Sequence, residues 1–224
     1  GGILMRRTEQ NLRFIYKMSD VLEKNFFAVF AAVFLAILLV VTLADQVVFA
    51  KGCRELYDGV LRLHILANSD TQEDQQLKLK VRDRVLQEAH QLGLGFGCED
   101  LESVSAQAEQ MLDKLVAAAQ DELLKNGSEQ KVTACVTKMY FDTREYEGFT
   151  MPAGEYNAVR FTVGEGKGHN WWCVLFPQMC LPVAFGEPLD DLGFSDEQLR
   201  VLKSRPQYEP RFALLEWAYS IREN

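Results

Sequence analysis

The residues with chemistry to offer are three histidines, five cysteines and the string Asn68-Ser69-Asp70-Thr71. His169, Cys173 and Cys180 form H-x3-C-x6-C, which matches no familiar zinc spacing. The chain contains no HExxH, no Cys-x2-Cys pair and no GxSxG elbow, so neither a common metal site nor an acyl-transfer triad has a motif behind it. His64, inside an apolar run, and His169, in a Gly-rich turn, read more naturally as structural hydrogen-bonding groups. No catalytic residue, metal ligand or cofactor is assigned. The competing enzymatic reading is an extracytoplasmic hydrolase or wall-binding protein that uses His64, Asp70 and His169, with Trp171 and Trp172 as a sugar-stacking platform.

Two cations add to the Asn68, Ser69 and Asp70 cluster. At about 100° per residue, Lys78 and Arg82 fall on the helical arc that also holds Leu77, Val81, Val85 and Ala89. Charges are seldom buried unless paired, so their stems are expected to lie on a sheet while their heads reach carboxylates or strand-end carbonyls. The sharper reading makes Asn68, Ser69, Asp70, Lys78 and Arg82 a partner-binding or anion-binding junction. A second candidate partner surface is His169, Asn170, Trp171 and Trp172. Neighbouring strand residues point to opposite faces, so one of these indoles is expected to face outward as an interface anchor; the alternative is that a terminal helix covers the second face and both indoles are core.

The elements that position these groups follow from periodicity. Residues 59–67 alternate, with Leu61, Leu63, Ile65 and Ala67 on one face and Arg62 and His64 on the other, as in a strand. Asn68 to Thr71 are natural N-caps and Glu73 and Asp74 follow, which predicts a helix running to about Leu92, stopped by Gly93, Gly95 and Gly97. A second helix is predicted over 101–125, with Val104, Ala108, Met111, Leu115, Ala119 and Leu123 on one stripe and Asn126-Gly127 closing it. Three strands are predicted over 131–142, 155–163 and 170–176, with a Gly-rich turn at 164–168 between the last two. Ser195 opens a capping box for a short helix ended by Pro206, and Pro210 begins a last amphipathic stretch through Ile221. The fold class expected is α+β: one N-terminal apolar helix, then a β-α-α-β-β-β domain with a mainly antiparallel sheet and C-terminal helices.

The 224 residues carry a formal net charge of −8, unevenly spread. Residues 1–25 are net basic, whereas 51–224 are strongly acidic and hold no basic run, which argues against nucleic acid as a partner. Residues 26–44, FFAVFAAVFLAILLVVTLA, contain only Thr42 as a polar member. As a helix they would be roughly 28 Å long, matching a hydrocarbon core of about 30 Å. Arg6, Arg7, Arg13, Lys17 and Lys24 precede the segment, which places the N-terminus in the cytoplasm by the positive-inside rule. The expected organisation is therefore a cytoplasmic segment at 1–25, a signal-anchor or signal segment entering the membrane at 26–44, and an extracytoplasmic domain at 51–224. In that compartment a disulfide between Cys173 and Cys180, across a short Pro-containing loop, is expected; five reduced, buried thiols are the alternative.

The strings Leu63-His64-Ile65-Leu66-Ala67-Asn68-Ser69-Asp70, Leu77-Lys78-Leu79-Lys80-Val81-Arg82-Asp83, Pro152-Ala153-Gly154-Glu155-Tyr156 and Gly168-His169-Asn170-Trp171-Trp172-Cys173, followed by Pro177 and Cys180, resemble the stage II sporulation protein R family of endospore-forming bacteria. The resemblance covers about residues 54–185. It implies a signalling protein made in the forespore, exported into the space between the two membranes, and acting on a membrane-embedded aspartic protease of the mother cell. That protease then processes the precursor of the sporulation sigma factor E. The resemblance implies no catalytic residues and no small-molecule substrate.

Overall fold

The computed structural model describes residues 2–146, 149–177, 194–204 and 217. Helix α1 spans Gly2–Gly59 and is followed by β1 (Leu61–Leu66), α2 (Gln72–Gln91), α3 (Leu101–Lys125) and β2 (Val132–Phe141). Then come β3 (Arg144–Tyr146), β4 (Phe149–Met151), β5 (Gly154–Val163), β6 (Asn170–Phe176) and α4 (Asp196–Leu202). The chain divides into two compact units, Gly1–Val48 and Phe49–Asn224.

In the first unit the described apolar side chains, from Phe26 to Leu43 and again at Val47, are exposed. The stretch Asn25–Gly59 of α1 is long and apolar enough to cross a membrane, and its most apolar window has none of its residues buried in protein. A helix that is apolar on all sides and packs against no protein has its surface matched to lipid rather than water.

The second unit is an α+β sandwich built on a four-stranded sheet of order β2-β5-β1-β6. β2 pairs antiparallel with β5 and β6 antiparallel with β1, while the central pair, β1 and β5, is parallel. β1 therefore lies at the centre with every residue buried, which explains why Leu61, Leu63 and Ile65 are apolar and leaves Arg62 and His64 as exceptions needing an account. The small β3 and β4 hairpin was not foreseen in the sequence.

Helices α2 and α3 cover one face. Thr71 caps α2, its Oγ1 accepting from the Asp74 amide, and Leu77, Val81, Val85 and Ala89 repeat every four residues along the buried stripe. The chain leaves α2 through Gly93, Gly95 and Gly97, all at positive φ, which a side chain would disfavour. A reciprocal capping box between Asp100 and Ser103 starts α3. Val104, Ala108, Leu115, Ala119 and Leu123 of α3 then pack with Leu63, Ile65, Val159, Phe161 and Cys173 of the sheet in one core. Truncating such a buried leucine to alanine costs about 2–5 kcal/mol.

A second core lies on the opposite face. Phe49, Cys53 and Leu56 at the end of α1, Phe149 and Met151 of β4, and Val201 and Leu202 of α4 close over Tyr156, Ala158, Val174 and Phe141. α4 starts at the Ser195 and Gln198 capping box read from sequence. The amphipathic stretch expected from Pro210 to Ile221 lies, apart from Trp217, outside the described residues.

Candidate functional site

The junction between β1 and α2 is organised around Asp74. Its carboxylate accepts from Asn68 Nδ2 at 2.9 Å, Ser69 Oγ at 2.5 Å and Gln130 Nε2 at 2.7 Å, the last donated from the segment leading into β2. Burial opposes ionisation of Asp74, yet the hydrogen bonds from Ser69, Gln130, Asn68 and Thr71 outweigh it and hold the carboxyl below the ordinary aspartate range.

The Gly-rich turn between β5 and β6 is bound to the same junction. Asn68 Oδ1 accepts from the Glu165 amide at 3.0 Å, while the Lys167 and Gly168 amides donate to the Asn68 and Ala67 carbonyls. Gly164 has φ +57°, and a Cβ there would collide with the Asn68 side-chain amide; one on Gly168 would strike the Ser69 carbonyl. Both glycines are thus dictated by close approach. Asp70 Oδ1 accepts from the His169 amide at 2.6 Å and pairs with His169 Nδ1 at 2.5 Å. The hydrogen bond from the His169 ring, with that from its amide, lowers the Asp70 pKa. This pair is exposed.

Lys78 and Arg82 take the positions foreseen for cations on an apolar stripe. Lys78 is buried and donates from Nζ to the His169 carbonyl at 2.9 Å and to Gln75 Oε1 at 2.6 Å, tying α2 to the start of β6. Burial lowers its pKa, Asp70 nearby opposes that, and Arg82 adds to it. Arg82 lies over the Trp171 ring at 4.3 Å and bonds Asp83 through Nε at 2.7 Å. Asn68, Ser69, Asp70 and His169 therefore form one connected cluster held from beneath by Lys78, with Arg82 and Trp171 at its edge.

Trp171 and Trp172 point to opposite faces, and both are half-buried. Trp171 packs against the helix-side core, and Trp172 packs against the second core. The His64 ring stacks on Trp172, with ring centroids 4.2 Å apart, and Arg144 lies over the same indole at 5.6 Å. His64 is held chiefly through its ring face rather than by the strong hydrogen bonds expected of it: neither ring nitrogen meets a well-aligned partner, and the Asn170 side chain alone acts on it as a hydrogen-bonding neighbour. Burial drives its pKa down to about 4; the Asn170 amide opposes this, and the charges of Arg160 and Arg62 add to it. Nor does His64 hydrogen-bond to Asp70 or His169, so the three residues of the hydrolase reading form no single constellation. Among the described residues no group of three or more His, Cys, Asp or Glu is placed to hold a metal ion.

Arg62 escaped the sequence reading. It is fully buried, donates from Nη2 to Tyr146 Oη at 2.6 Å, and lies over the rings of Phe141 at 4.1 Å and Tyr156 at 5.0 Å. The available signal was the alternation that put Arg62 and His64 on one face of a strand now seen to be central. Cys53, Cys98 and Cys135 are in no disulfide. Cys173 is buried in the helix-side core and disulfide-bonded, while Cys180 lies outside the described residues.

The family profile for stage II sporulation protein R matches residues 57–184, the stretch that holds β1 through β6 with Trp171 and Trp172. The chain belongs to the stage II sporulation protein R family. It is 40% identical over 126 residues to stage II sporulation protein R of Bacillus subtilis (strain 168), a match covering 55% of this chain and 54% of that protein. The chain thus spans about half the length of the curated relative it matches. No solved structure matches it. Membership in the stage II sporulation protein R family gives the protein a role in sporulation, and the matched region contains the whole junction around Asp74 and the His64 and Trp172 stack.

Proposed function

We propose that this protein is an exported signal of endospore formation. In this reading residues 26–44 enter the membrane as a signal or signal-anchor, and the domain from about residue 51 acts outside the cytoplasm, between forespore and mother cell. There it activates a membrane-embedded aspartic protease, which then processes the sigma-E precursor. The protein acts as a ligand for that protease rather than as an enzyme, with no cofactor, no nucleic acid and no small-molecule substrate.

The observation that carries the reading is the combination, in one chain, of an apolar helix with its surface exposed and a domain of the sporulation R family. The candidate contact surface supports a ligand role. Asp70, His169 and Asn170 are exposed on a junction held rigid from beneath by Asp74 and Lys78. Rigid polar groups flanked by half-buried indoles are the composition of a protein interface.

The test is reconstitution of sigma-E precursor processing with and without the domain. Processing that proceeds equally without it rejects the reading. Within that assay, His169→Ala with Asn170→Ala, and each Trp→Leu separately, are compared for processing and for unfolding temperature. An interface role requires at least one variant that folds normally and fails to signal.

A further inference from the structure

Strand β2 forms one edge of the sheet, paired to β5 alone and in unbroken register from Val132 to Phe141. The Gly164 amide donates to the Lys131 carbonyl, which fixes the phase of the ladder. Odd-numbered residues of β2 turn their backbone groups towards β5, and even-numbered ones turn theirs outward. At the first outward positions the side-chain amide of Gln120 stands in for a neighbouring strand. Its Nε2 donates to the Gln130 carbonyl at 2.8 Å, and its Oε1 accepts from the Val132 amide at 2.9 Å. Beyond that cap the outward amides of Ala134, Val136 and Lys138 have no partner among the described residues.

This edge lacks most of the devices that keep strands apart. It carries no proline and no bulge, and Lys138 is its only charge. No Asp or Glu occurs from Gln130 to Phe141, although the domain is otherwise strongly acidic. Two copies of such a domain therefore repel least along this strip. The strip is also complementary to itself. Its open amides are symmetric about Val136, so an antiparallel copy can be set with the two-fold axis there. Ala134, Val136 and Lys138 then exchange both backbone bonds with Lys138, Val136 and Ala134 of the copy. Long Lys138 faces small Ala134, Val136 faces itself, and exposed Cys135 faces Thr137 of the copy on the other side of the strand. The two Lys138 residues stand roughly 14 Å apart along the strand, and Gln120 closes the ladder at each end.

We propose that the protein pairs with a second copy of itself through β2, joining two four-stranded sheets into one across a two-fold axis at Val136. A second copy suits the edge better than another polypeptide. It brings a strand that is already extended, so no segment has to be ordered, and every facing pair is matched in size without a like-charge contact. With only a short run of main-chain bonds, the pairing belongs to the weak class of interfaces. The inference goes beyond the signalling reading and does not rest on it.

The experiment uses the full chain in detergent micelles. Sedimentation at protein concentrations up to about 0.3 mM, where weak interfaces associate, is expected to show a reversible dimer. Because micelles can also bring membrane helices together, the register of β2 is read directly by oxidative cross-linking. Thr137→Cys places a thiol opposite Cys135 of the copy, whereas Thr133→Cys places one opposite Met139. The first is expected to cross-link at least about tenfold faster than the second, since a disulfide tolerates little misplacement. Val136→Pro removes the central outward amide and leaves the bonds to β5 in place. With its circular dichroism unchanged, this variant should be monomeric and should abolish the cross-link of Thr137→Cys. A chain monomeric throughout that range, equal cross-linking from positions 133 and 137, or a folded Val136→Pro variant that still cross-links would overturn the proposal. Should Val136→Pro not fold, the two cysteine variants decide alone.

Discussion

The imidazole of His64 lies flat on the indole of Trp172, the two planes only 5° apart. The stack is available to a neutral ring in a buried setting, and protonation would place a charge there beside Arg62 and Arg160.

A pH dependence with a defined sign follows. The folded pKa of His64, about 4, lies below the ordinary value of 6.5. Its contribution to stability is thus fully present above pH 6.5 and is lost as the pH falls through 4. The linkage is worth about 3 kcal/mol at most. Urea unfolding of the wild type and of His64→Phe between pH 7 and pH 4 checks this: the wild type should lose more stability than the variant by about that amount. Parallel curves would show that His64 does not titrate this way.

Asp74 is expected to matter for stability rather than for recognition. It is buried and collects Asn68, Ser69 and Gln130, three donors from two parts of the chain. Asp74→Ala leaves those donors without an acceptor and should cost about 2–4 kcal/mol. Chemical denaturation measures it, and a loss below about 0.5 kcal/mol, the scale of a neutral surface substitution, would show that the donors find water instead.

Much of this junction was legible in the sequence and much was not. The start of α2 within Asn68–Thr71 and that of α4 at Ser195 were readable, and Asn126-Gly127 as a stop, because capping is decided within one turn; the Asp100 cap of α3 was not read. The three-residue strands β3 and β4 are too short to show a period. The parallel pairing of β1 with β5 depends on partners distant in the chain, and no local pattern encodes it. For the same reason the burial of Arg62 was hidden: alternation locates a face, whereas only the tertiary fold says what covers it. Lys78 was the favourable case, since its place on the apolar stripe of α2 could be read directly.

Cys173 is expected to pair with Cys180. Closing so short a loop should stabilise the domain by about 2–3 kcal/mol. Peptide mass mapping of unreduced protein should recover one cross-linked fragment containing both residues, with Cys53, Cys98 and Cys135 in no disulfide. Free thiols at both Cys173 and Cys180, or either joined to Cys98 or Cys135, would refute the pairing.

Topology gives a fourth test. A reporter enzyme active only outside the cytoplasm, fused after Asn224, should be active, because the basic residues before 26–44 are expected to hold the N-terminus inside by the positive-inside rule. Activity from a cytoplasm-only reporter at the same position would contradict the export argument.

The central place of β1 bears on how such a chain travels. β1 is bracketed by β5 and β6, which ribosomal synthesis delivers only after both long helices and β2. In the proposed export, Leu61, Leu63 and Ile65 would have no edge to join while the N-terminal part is threaded across the membrane, so the domain would not lock before its last strands had followed. A chain truncated before Gly154 should accordingly remain open to added protease after passage, whereas one reaching past Phe176 should resist it. Under the proposed export, crossing and folding would be successive events, with the last strands acting as the latch.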